Sequence, residues 1–122
     1  MSDPLYVVSH GARTPLGTRA APSAAALRAG ISRVKELPHL RDRQGNPMYV
    51  SLDGLLPIET MGASRLTAIA QSALHEACEL PSDRHARLQV PLLLALPEPR
   101  PGVTRSRIGA VAQELRGTAA SV

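Results

Sequence analysis

Residues 75–79 read HEACE, which puts His75 and Glu79 one helical turn apart with Glu76 beside them. An imidazole and a carboxylate at that spacing on one helix face lie near enough to share a metal ion. The second histidine of a zinc-dependent hydrolase is missing, and the same positions suit the solvated face of a helix, so no metal site is assigned. Cys78 lies in the same stretch. A nucleophilic thiol needs a base or a helix N-terminus to hold its thiolate, and Cys78 falls toward a helix C-terminus, where the dipole disfavours an anion. It reads as a small packing residue. His10 follows a strand-like run and is expected at that strand's carboxyl end, where α/β sheets place their sites. One histidine is not a mechanism, and no GxSxG elbow occurs to supply a serine nucleophile. His39 and His85 fall in segments read as exposed. The catalytic, cofactor-binding and metal-binding sets therefore all read as none, and no cofactor is implied.

Beside His10 lies GARTPLGT, residues 11–18, a glycine loop of the sort that can cradle phosphate. Its spacing fits neither familiar version. Five residues separate the glycines, Thr18 stands where a Walker loop needs lysine, and GxGxxG is absent. The loop reads as a structural turn, with Pro15 fixing φ and Gly17 allowing a positive one.

The elements that must position these residues follow from periodicity and punctuation. LYVVS, residues 5–9, reads as a short buried strand ended by Gly11. Ser23 is expected to cap a short helix through AAALRA that Gly30 closes. HLRDRQGNPMYVSL has two extended arms around residues 44–47, a hairpin or an irregular excursion. In GASRLTAIAQSALHEACEL the apolar residues Leu66, Ile69, Ala70, Ala73, Leu74 and Ala77 recur at helical spacing, which predicts a helix capped by Ser64 or Thr60 and stopped by Pro81. QVPLLLALPEPRPG is an apolar run without alternation, read as a central parallel strand with an extended proline-rich exit. Thr104 then caps a last helix with Ile108, Val111, Ala112 and Leu115 on one face and Gly117 at its end. The tail TAASV looks like a cut rather than an ending. This order predicts an α/β layer of parallel-type sheet flanked by helices, with only part of the sheet present, all in a single domain spanning 1–122.

Composition bounds the function classes. The chain has 122 residues, 43% of them apolar, enough for one core. It lacks Phe and Trp and has only Tyr6 and Tyr49. A formal charge of +4 raises the question of nucleic acid. The basic residues, all arginine except Lys35, are scattered among acidic neighbours, and too few aromatics are present to stack bases, which argues against nucleic acid as a partner. With one cysteine there is no internal disulfide, and MSDPLYVV lacks the regions of a secretory signal, which predicts a cytoplasmic protein. The longest apolar run, broken by Pro91, is too short to span a membrane.

Taken together, VVSHGARTPLG, SAAALRAGIS, GASRLTAIAQSALHEAC and VPLLLALPEPRPG make the chain resemble the N-terminal part of the β-ketoacyl synthase family, within the thiolase-like superfamily. The shared order covers roughly residues 5–110. The resemblance implies part of a layered αβαβα fold of two similar halves, usually a homodimer, that condenses acyl thioesters in fatty acid or polyketide biosynthesis. It also implies a nucleophilic cysteine late in the first half and histidines, or a histidine and an asparagine, in the second. None has a matching position here, and Cys78 belongs to a different helix. The region of residues 31–60 is short for the family, and PEPRPG replaces its glycine-rich segment.

Three readings follow. The first is a fragment or truncated homologue of an acyltransferase, not catalytic alone, that self-associates or needs the missing part of its fold; acyl carrier or acyl-CoA would be partners of the parent. The second is a non-enzymatic scaffold on a partial thiolase-like fold. The third is a small basic anion or nucleic-acid binder using Arg105 and Arg107.

Overall fold

The computed structural model describes residues 4, 6, 7, 9–79 and 91–121. Their elements, in chain order, are α1 (Ala20–Arg28), β1 (Val34–Arg41), β2 (Pro47–Ser51), α2 (Gly62–Cys78) and α3 (Arg105–Ser121). The chain is mixed α/β, and its sheet is a two-stranded antiparallel hairpin.

Helix α1 ends where the sequence predicts. The Gly30 amide donates to Leu27 O and the Ile31 amide to Ala26 O, both at 3.0 Å, with Gly30 at φ +71°. This 5→2 and 6→1 pair satisfies the last carbonyls and needs a left-handed residue, which glycine supplies. Its start differs from expectation. The helix begins at Ala20, so Ser23 lies inside it and donates to Arg19 O instead of capping.

The arms around residues 44–47 form the hairpin. Leu37 pairs with Met48 and Val34 with Ser51, but Arg41 pairs with Pro47, so the register shifts between Leu37 and Arg41. Pro38 sits in that irregular stretch, where a residue without an N–H cannot keep the ladder. Asp42 builds the turn. Its carboxylate accepts from the amides of Gln44 and Asn46, each at 2.8 Å, and Gly45 takes φ +86°.

Helices α2 and α3 pack on each other. The predicted α2 stripe is half-buried, and its start has no side-chain cap from Ser64 or Thr60; Met61 holds the N-cap position. In α3 the cap is as predicted, with Thr104 Oγ1 accepting from the Arg107 amide at 3.4 Å. Gly117 does not end α3, which runs on to Ser121. Before it, residues 100–103 turn sharply. The Arg100 and Val103 backbones exchange hydrogen bonds of 3.0 and 2.8 Å, Pro101 is in second place and Gly102 has φ +85°.

The two strand-like runs behave differently from the prediction. Leu5, Val8, Gln89 and Val90 lie outside the described residues. Tyr6, Val7, Ser9 and residues 91–99 carry no strand pairing, and Leu93 is 90% exposed. A central parallel strand needs a neighbour on each ladder edge, and Pro91, Pro97 and Pro99 offer no N–H. Parallel pairing is thus not present among the described residues. The core is correspondingly small: Val111 and Leu115, at 4% and 3% exposure, are the buried hydrophobic side chains among them.

Candidate functional site

The polar groups that the structure gathers lie where residues 9–20 cross the C-terminal half of α2. Gly11 allows that crossing. A Cβ on Gly11 would fall on the carbonyl oxygen of Ala73 and within 2.8 Å of the Ala77 amide nitrogen, so the loop backbone touches the helix backbone. Ser9 Oγ donates to Ala77 O at the same place. Gly11 is required for close approach, since its φ is not positive.

Glu76 ties the loop down. Its carboxylate accepts the Ala12 amide at 2.9 Å and the Ala20 amide at 3.0 Å, and Arg19 Nε stands 3.5 Å away. Ala20 is the first residue of α1, which has no cap of its own from Arg19. An orphan N–H of that helix is therefore satisfied by a side chain from α2. The Ala12 amide bond is the main reason that the Glu76 carboxyl stays below its ordinary range. The Ala20 amide and the charges of Arg19 and His10 add to that effect against a desolvation cost. Arg19 also grips Glu79, with Nη1 3.1 Å from Oε1. That contact to Glu79, with smaller help from Glu76, raises the Arg19 pKa.

A second tie holds the loop to residue 53. Arg13 Nε donates to Asp53 Oδ2 at 2.6 Å, and the Leu55 amide donates to Oδ1 at 2.9 Å. Burial pushes the Asp53 carboxyl up, but the Arg13 and Leu55 hydrogen bonds and the charges of Arg13 and Arg65 outweigh it, so its pKa is lowered. Arg65 adds bonds to Asp53 O, Pro57 O and Thr60 O.

Four of the seven N–H groups in residues 11–18 are already bonded within the protein. Thr14 and Gly17 exchange backbone bonds, the Leu16 amide donates to Thr14 Oγ1, and the Ala12 amide is held by Glu76. Pro15 has no N–H. A phosphate cradle needs several convergent amides with nothing else to bind, and these four are already used. Ser23 finishes the lock, accepting from Thr14 Oγ1 at 2.9 Å, with Gly17 O a further 3.1 Å from the same Oγ that donates to Arg19 O. Gly17 has no positive φ; a Cβ there would stand 3.1 Å from Ser23 Oγ.

The other candidates separate. His75 is exposed on α2, Glu79 is taken by Arg19, and no cluster of three metal-ligating side chains occurs among the described residues. Cys78 is half-buried in the last turn of α2. His10 is exposed beside Glu76, with no strand before it among the described residues, and His39 is exposed on β1. His85 lies outside the described residues. The sequence reading passed over Glu76 as a partner for backbone amides. The signal available was an α1 start with arginine, rather than a capping side chain, before it.

Across a second face, α2, α3 and residues 94–103 border a half-open apolar slot of about 160 Å³. Compared with protein-family models, curated proteins and solved structures, the chain matches none. No helix among the described residues is long and apolar enough to cross a membrane.

Proposed function

We propose that this chain is a non-catalytic leading portion of a thiolase-like acyl-condensing protein, similar to β-ketoacyl synthases, that seats against the rest of that fold or against another copy. The observation that carries the reading is exposed apolar surface in the two runs expected as buried strands. Tyr6 and Val7 are 77% and 84% exposed, and Leu92, Leu93 and Leu94 all reach solvent. Surface of this kind marks an interaction site rather than a finished exterior. In the complete sheet these runs would take parallel neighbours, and the exposed leucines would be covered by a further helix layer.

Light scattering over a dilution series tests this. The expected mass exceeds the 12.9 kDa of one chain and falls on dilution. A well-folded monomer whose mass does not change with concentration would sink the reading. The scaffold reading draws on the locked clasp of Glu76, Arg19 and Ser23, and it predicts sharp, cooperative unfolding of the lone chain.

A further inference from the structure

We infer that the slot between α2, α3 and residues 94–103 binds a short straight-chain carboxylate of about six carbons, hydrocarbon inside and carboxylate at Arg107. The slot is lined by aliphatic side chains, among them Leu66, Ala70, Val111 and Leu115, and Arg107 is its one ionisable lining residue. A cavity of about this size with aliphatic walls has room for a hydrocarbon of about six carbons. Its shape favours a chain over a compact ring. The α2 lining runs from Ala63 through Leu66 to Ala70, and the α3 lining from Arg107 through Val111 to Leu115. Each stretch rises roughly 10 Å along its helix.

The charged end is also placed by the structure. Arg107 Nη1 donates to Gly102 O at 2.8 Å, which fixes the guanidinium at the mouth. Among the described residues no carboxylate lies in ion-pair reach of it. Beside it α2 begins without a side-chain cap or an acidic residue in its first turn. The two lie close together, since a Cβ on Gly62 would stand 3.9 Å from Nη1. A planar guanidinium with unused N–H groups next to a positive helix end matches a carboxylate.

Amide chemical shifts of the 122-residue chain, titrated with sodium butanoate, hexanoate and decanoate and with 1-hexanol, test the assignment. Hexanoate should bind most tightly of the three acids, in the millimolar range, with shifts centred on α2 and α3. Arg107→Gln should weaken hexanoate about tenfold and leave 1-hexanol unchanged. Ala70→Leu, which fills the slot, should abolish both. Affinity that climbs steadily to decanoate, hexanoate binding indifferent to Arg107→Gln, or no shift in the slot would each overturn it. If Ala70→Leu does not fold, the chain-length series and Arg107→Gln decide. A dilution-stable monomer would remove the condensing-fold reading and leave this slot intact, since every lining residue belongs to one chain.

Discussion

Gly11 and Glu76 do the most to hold residues 9–20 in place, one by having no side chain and the other by the reach of its carboxylate. Gly11→Ala should destabilise the chain by about 2–3 kcal/mol, because the added methyl meets helix backbone, which cannot move aside as a flexible side chain can. Gly54→Ala, at a site with open space and no positive φ, should stay within about 0.5 kcal/mol, and urea unfolding of the two variants compares them. Glu76 answers to pH. Its folded-state pKa lies below its ordinary value, so its contribution is fully present above about pH 4.3 and is lost as pH falls through the lower folded value. Asp53 and Asp42 act in the same direction, the latter chiefly through the Asn46 side chain. Glu76→Gln should therefore lower the Tm at neutral pH, with the gap to the parent chain narrowing as carboxylates protonate. A gap of constant size down to pH 2 would contradict the role given to its charge.

At the scale of elements, local signals served well where the stabilising partner lies within a turn. Thr104 caps α3 and Gly30 closes α1 through partners three to five residues away, and the helical spacing of its apolar residues makes α2 a helix. Thr104→Ala should cost about 1 kcal/mol in thermal unfolding, with the loss of protection in amide exchange centred on the first turn of α3. Ser23 departs from the expected capping role for the same physical reason in reverse. Its hydroxyl could cap locally, but Thr14 and Gly17 offer it tertiary partners, and α1 starts earlier once Glu76 takes the Ala20 amide. The hairpin was legible as two arms and a turn, whereas its register shift near Pro38 emerges only in the pairing.

The whole molecule has two well-buried hydrophobic side chains among its described residues and many large apolar ones in water. Such a ratio leaves little hydrophobic stabilisation in the lone chain and a strong drive to cover surface. If association uses the run that includes Leu93, Leu93→Glu should shift the light-scattering mass toward the single chain without loss of helix by circular dichroism. An unchanged mass would place the contact elsewhere. The expected parallel sheet rested on apolar runs, and an apolar run states only that a segment prefers cover. What provides that cover is not written in the run itself.

The three helices, the turns at Gly30 and Gly45, the mixed α/β class and the lack of a zinc-type histidine pair were legible in the residues, because each depends on residue type and short spacing. The tertiary structure alone decided that Gly11 must lack a side chain, that Glu76 serves Ala12 and Ala20, and that Arg13 meets Asp53. Those contacts join residues 40 to 66 positions apart. Excluded volume and hydrogen-bond partnership at such separations exist only after the chain has folded.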